Sequence, residues 1–172
     1  MKISRPALNF VRARSLVVCA AIGLAGFAAD AAGLAPDKDN YDWSASLVSF
    51  DPATSMAVFQ ARIEEYPGIA DLDQFHDGDR LMLVWTGRSW AAGIRDIAAH
   101  PNVEEGSLML PIEFVAAVRD DRYLNFRVHV PDSAVETLMA LSEGDRVTGV
   151  SPRHVMGFDQ SVISLRPYND IE

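Results

Sequence analysis

Gly144-Asp145-Arg146 follows the run Leu138-Met139-Ala140-Leu141-Ser142-Glu143, and the same order of positions stands 66 residues earlier (144 − 78), where Leu72-Asp73-Gln74-Phe75-His76-Asp77 leads into Gly78-Asp79-Arg80. Each copy marks a helix end, a turn and a strand start in quick succession, because glycine takes the positive φ at which a helix stops and an apolar run follows at once. A chain that does this twice is constrained to two similar halves, or to one body built from both.

The first half, 44–98, reads as a hairpin of Ser46–Phe50 and Met56–Ile63 around Asp51-Pro52, then a short helical stretch with Ile69, Leu72 and Phe75 at three-residue spacing. Arg80–Trp85 gives its next strand, and the segment from Trp90 to Ala98 its last. Residues 99–107, with His100-Pro101-Asn102 and Glu104-Glu105-Gly106, break every periodicity and read as a linker. The second half, 108–168, repeats the order. Leu108–Val118 and Tyr123–Val130 flank Arg119-Asp120-Asp121-Arg122, with Leu124, Phe126, Val128 and Val130 alternating against Asn125, Arg127 and His129. Pro131-Asp132-Ser133 opens a helix, with Ser133 and Glu136 as a capping box and Val135, Leu138, Met139 and Leu141 on the inner side. Strands at Val147–Val150 and Ser161–Leu165 and an acidic tail, 169–172, complete the chain, and Ile94 and Ile97 match Val162 and Leu165 with two residues of drift. The fold class expected is mainly β: OB-like small β-barrels, either one per half or one made jointly, each half carrying a hairpin, a short helix and a Gly-Asp-Arg strand.

Export is expected from the start of the chain. Lys2, Arg5, Arg12 and Arg14 precede an apolar run from Leu16 to Ala29, and small residues follow at Ala29-Asp30-Ala31, the order of a secretory signal peptide with cleavage near Ala31. The run is shorter than the ~20 residues that span a bilayer, so no membrane span is expected after cleavage, and 32–43 reads as a flexible leader ending where Trp43 docks. Cys19 lies in the removed segment, which leaves the mature chain without thiol or disulfide chemistry. Loss of 1–31 removes four basic residues and one acid, leaving 11 Lys and Arg against 23 Asp and Glu, a formal −12. Such a charge repels nucleic acid and anionic lipid.

Leu47-Val48-Ser49-Phe50-Asp51-Pro52-Ala53-Thr54, Phe126-Arg127-Val128, the Pro-led helix, and Gly144-Asp145-Arg146-Val147 with the closing strand through Leu165 resemble the periplasmic CusF-type copper/silver-binding small β-barrel proteins. The resemblance covers about half of the mature chain and implies a small exported barrel. That family's metal site rests on a Trp and a Met-x-Met pair just before the Phe strand. Arg122 and Leu124 stand at those places here, so the resemblance carries over no ligands.

Three kinds of candidate chemistry remain. Trp85 and Trp90 bracket Thr86-Gly87-Arg88-Ser89, so an indole beside the Arg88 guanidinium can stack on a ligand or partner at a barrel mouth, or cover the core. His154 and Met156 are soft donors suited to Cu(I) or Ag(I), needing a third from His129, Met109 or His100; the bland alternative is a solvent-facing His and a loop-anchoring Met. Asp71, Asp73, Asp77, Asp79, Glu104 and Glu105 lack the ordered spacing of a calcium loop and read as solvated turns. No Gly-x-Ser-x-Gly, His-Glu-x-x-His, Cys pair or phosphate loop is present. The first expectation is therefore a periplasmic, non-enzymatic binding module for a protein partner or small ligand. The alternatives are a soft-metal carrier and an enzyme whose site is assembled between the halves.

Overall fold

Period-two alternation of apolar residues over 40–62 and 108–130 buries one face of a sheet, and the computed structural model, which describes residues 39–64, 72–86, 93–99, 107–118, 122–153 and 157–168, is mainly β. Its strands are β1 (Asn40–Asp51), β2 (Met56–Arg62), β3 (Arg80–Thr86), β4 (Gly93–Ala98), β5 (Leu108–Val118), β6 (Tyr123–His129), β7 (Arg146–Pro152) and β8 (Ser164–Pro167). Among the described residues one α-helix, α1 (Asp132–Met139), and 3-10 turns at Leu72–Gln74 and Phe158–Gln160 join them. All eight strands form a single antiparallel sheet in the order β4-β3-β5-β6-β2-β1-β7-β8, which is not closed. In the sequence reading each half closed on itself or joined the other in a barrel. In the structure the halves interleave, since β1 pairs with β7 and β5 with β3.

The order is unchanged when the halves are exchanged, and the registers agree residue by residue. Ser46↔Gln60, Leu47↔Phe59 and Ser49↔Val58 in β1–β2 become Glu113↔Arg127, Phe114↔Phe126 and Ala116↔Asn125 in β5–β6, each 67 positions on (113 − 46), with the same one-residue irregularity. Phe59 pairs with Phe126, so the β2–β6 seam maps onto itself. Ser55 (φ 54°) and Arg122 (φ 57°), the non-glycine residues with positive φ among the described residues, are equivalent hairpin tips whose carbonyls accept from the N–H groups of Val130 and Ile63. Arg122, one of the two positions the resemblance singled out, is thus a turn residue, and the other, Leu124, is fully buried.

The Gly-Asp-Arg turns are equivalent down to their hydrogen bonds. Gly78 donates to the Phe114 carbonyl at 2.9 Å and Gly144 to that of Leu47 at 2.8 Å; Phe114 and Leu47 donate back to Asp79 and Asp145. The Asp79 carboxylate accepts the His76 N–H at 2.7 Å and the Asp145 carboxylate that of Ser142 at 2.8 Å, so the aspartate closes the turn and the pair fixes which strand β3 and β7 will join. Gly78 and Gly144 have φ of 91° and 89°, and a Cβ on either would meet nothing within 4 Å. Gly144→Val is therefore expected to cost about 1 kcal/mol or more through backbone strain alone. Urea unfolding measures this; a variant as stable as wild type would remove the turn assignment.

Where the halves differ, the sheet edges differ. Ile63 forms a parallel bridge to Ile94, and the Glu64 N–H donates to the Ile94 carbonyl at 2.8 Å, drawing β4 back beside the end of β2. Gly93 permits this, since a Cβ there would overlap the Arg62 carbonyl. At the equivalent of Glu64 stands Pro131, which has no N–H, and at the equivalent of Gly93 stands Ser161. On that side β8 makes no such bridge among the described residues; α1 packs against β8 and the Phe158–Gln160 turn against β6.

The inward face forms one hydrophobic cluster drawn from all eight strands. Trp43, Phe59, Phe126 and Trp85 lie at its centre with ring centroids 5.6–6.4 Å apart. Trp43 lies against Gly149, its pairing partner on β7, and donates its indole N–H to Ser151 at 2.8 Å. The equivalent pair in the other half is Leu110 with Leu83, and Trp85 stands where Ser151 does. Both core tryptophans thus come from the first half, Trp43 on β1 and Trp85 on β3, where the second half has Leu110 and Ser151, and Trp43 faces a residue without a side chain on the second half's β7.

Three boundaries and one helix face differ from the sequence reading. β1 starts at Asn40, inside the stretch read as leader, because it pairs with β7 from Asn40↔Pro152 onward. Helix α1 is capped by extended Pro131 with no side-chain hydrogen bond, so Ser133 lies in the first turn and the expected Ser133/Glu136 box does not form. Ala134 and Leu138, four apart, take the inner face, and Met139 is 67 % exposed. The last strand begins at Ser164, since Phe158–Gln160 uses the preceding residues for a 3-10 turn. The expected signal peptide (1–31), most of the leader, Ile69, 100–106 of the linker and the acidic tail lie outside the described residues.

Candidate functional site

Antiparallel register places Ser49, Val58, Arg127 and Glu113 side by side on the outer face of β1, β2, β6 and β5, with Arg80 of β3 next in the row. Around this row an open groove of ≈ 520 Å³ is lined by Ser49, Phe50, Asp51, Thr54, Met56, Val58, Glu113 and Arg127. The β1–β2 turn builds one wall. Asp51 accepts the Ala53 N–H at 2.9 Å and the Thr54 hydroxyl at 2.7 Å. The Thr54 hydroxyl first, then the Ala53 amide, hold the Asp51 carboxyl below its ordinary value of 3.8, so it is ionised at neutral pH.

The other wall is an ion-pair chain. Arg127 contacts Glu113 at 3.2 Å and Asp77 at 3.5 Å, and Arg80 reaches the second Glu113 oxygen at 3.7 Å. Arg127 and Glu113 are 29 % and 18 % exposed at their side chains, so the pair is partly desolvated and held more firmly than a surface pair. The Arg80 guanidinium also lies 5.2 Å from the Phe158 ring centre, tying the 3-10 turn before β8 to this wall.

The site expected at the strand end is placed differently. Trp85 is 1 % exposed and packs on Trp43 and Phe126, so its indole is a core group; it alternates inward with Leu81 and Leu83, and its N–H finds no partner among the described residues. Arg88 and Trp90, and the soft donors His154 and Met156 with His100, lie outside the described residues. Of the third donors considered, Met109 and His129 are half-buried on β5 and β6. Among the described residues no three His, Cys, Asp or Glu side chains cluster as metal ligands do, and no helix is long and apolar enough to cross a membrane.

Arg127 and Glu113 were legible only as the wet side of an alternating pattern. A sharper signal lies in the 67-residue equivalence. Phe50 corresponds to Ala117, Asp51 to Val118, Val58 to Asn125, Glu113 to Ser46 and Arg127 to Gln60. At the equivalent place Gln60 donates an amide hydrogen bond to Asn125 at 3.1 Å, and the charges of Arg127 and Glu113 are gone, while Arg80 keeps its equivalent in Arg146. The fold therefore accepts neutral residues there, and the charged and aromatic set belongs to one half's version of the face. No family model matches the chain, and comparison with curated proteins and with solved structures gives no match.

Proposed function

We propose that this protein is an exported, non-enzymatic β-barrel binding module built by internal duplication, and that it receives a small ligand in the groove between Phe50 and Arg127. The observation that carries the site is the replacement of its charged and aromatic residues by small or neutral ones at the equivalent positions. Fold maintenance alone gives no reason for a partly desolvated Arg–Glu pair on one copy of a face only.

Duplication is supported by the identical hairpin registers and by the two Gly-Asp-Arg turns with the same hydrogen bonds. OB character is supported by β5, β6, β2, β3 and β4, which form a Greek-key set once β4 returns beside β2; β6 and β2, its second and third strands, floor the groove, on the face such folds use for ligands. A binding role over catalysis is favoured because the groove lining holds neither His nor Cys, and its Asp51 is shifted away from the raised value a general acid needs at neutral pH. Export rests on the basic and apolar run of residues 1–31.

The test uses exported protein, expected to begin at Ala32, in amide NMR titrations with a library of small organic ligands. Saturable shifts confined to Ser49–Val58, Glu113 and Arg127, weakened about tenfold by Phe50→Ala, are the expected result. Ligands that move only other regions would place the site elsewhere.

A further inference from the structure

The groove offers a ligand two opposite kinds of charge, and only one of them is free to take it. Arg127 already contacts Glu113 at 3.2 Å and Asp77 at 3.5 Å, while Glu113 also faces Arg80 at 3.7 Å. Two guanidinium groups thus stand against two carboxylates. An anion entering the groove must displace Glu113 from Arg127 and leave a carboxylate that is only 18 % exposed short of its nearest counter-charge, a cost that offsets the attraction between anion and guanidinium.

Asp51 is in the other situation. It lines the same groove, is exposed, and no cation pairs with it among the described residues. The Thr54 hydroxyl and Ala53 amide fix its carboxylate in place and keep it ionised. The Ala53 amide uses one oxygen and the Thr54 hydroxyl the other, and the exposed carboxylate can still accept from a further donor. Phe50, Met56 and Val58 provide apolar surface beside it, and ≈ 520 Å³ falls in the range of small-molecule sites. The chain as a whole carries a formal charge of −9, so its long-range field concentrates cations and repels anions.

We infer that the ligand of this groove is an organic ammonium ion with an apolar body, its nitrogen donating to Asp51 and its body lying over Phe50, Met56 and Val58. The inference rests on the groove being the binding site, as proposed above.

Three probes of matched size separate the charge from the site: phenethylammonium, neutral phenethyl alcohol and anionic phenylacetate, each titrated into the full exported chain at low salt and followed by amide NMR. Phenethylammonium is expected to shift Ser49–Thr54 and Met56 saturably and to bind about 5-fold more tightly than the alcohol, the difference shrinking in 0.5 M NaCl as ions screen it. Asp51→Asn keeps an oxygen acceptor for the Ala53 amide and a polar partner for Thr54 while losing the charge. It is expected to abolish the preference for the ammonium, whose affinity falls to that of the alcohol. Equal or tighter binding of phenylacetate at the same residues, or an ammonium preference that survives Asp51→Asn, overturns the cation assignment and leaves the groove standing as a site. Absence of saturable shifts at these residues for all three probes overturns both.

Discussion

Gly149→Ala is expected to lower the free energy of unfolding by about 2–3 kcal/mol, although glycine to alanine in a strand is ordinarily neutral or favourable. A Cβ at 149 would overlap the six-membered ring of the Trp43 indole, which is fully buried, wedged among Phe59, Phe126 and Trp85 and anchored by its N–H to Ser151. The ring has nowhere to move without disturbing three other aromatics. The other half shows how the same fold manages without this contact: Leu110 pairs with Leu83 at the equivalent place. In a Trp43→Leu background the cost of Gly149→Ala should therefore shrink to below about 1 kcal/mol, even though Trp43→Leu is itself destabilising. A double-mutant cycle by urea unfolding measures the coupling. Additive losses would show that Trp43 and Gly149 do not depend on each other, and would undo this account of the core.

Gly93→Ala is expected to cost about 2–3 kcal/mol for a different reason. Its Cβ would overlap the Arg62 carbonyl, a backbone atom that cannot swing aside as a side chain can. The seam between β2 and β4 would have to part, breaking the 2.8 Å bond from the Glu64 N–H to the Ile94 carbonyl. Hydrogen exchange at the Glu64 amide should accelerate along with the fall in stability. Ser161→Ala, at the equivalent position on the unbridged side, is the control. The Ser161 hydroxyl is buried without a partner among the described residues, so its removal should change stability by less than about 0.5 kcal/mol or raise it slightly. A Gly93→Ala protein with wild-type stability and a slowly exchanging Glu64 amide would show that the seam does not depend on close approach.

Both glycines were plain in the sequence, yet neither stood out there as Gly78 and Gly144 did. The turn glycines are read locally: an apolar run, a polar step, Gly-Asp-Arg and a new apolar run define a reversal whatever lies across from it. Gly93 and Gly149 answer to residues about thirty and one hundred positions away in the chain (Arg62 and Trp43), so nothing near them announces what they do. The groove is of the same kind. Arg127 and Glu113 are adjacent only because β6 lies beside β5, and Asp51 shares their cavity only because β2 lies beside β6. Trp85 illustrates the converse. Its neighbours permitted either a ligand-facing or a core position, and packing on Trp43 and Phe126 decided for the core.

By itself the sequence determined eight strands, most of their inward faces and the repeated Gly-Asp-Arg turns, because alternation and turn chemistry act over a few residues and need no knowledge of the partner strand. Only the tertiary structure decided that β1 would pair with β7 and β5 with β3, so that the halves interleave rather than stand apart. That choice belongs to long-range fit: the Trp43 indole requires a residue without a side chain opposite it, and Gly149 on β7 supplies that place. One seam is bridged and its equivalent is not for a similar reason, since Glu64 and Gly93 offer an N–H and close approach where Pro131 and Ser161 offer neither.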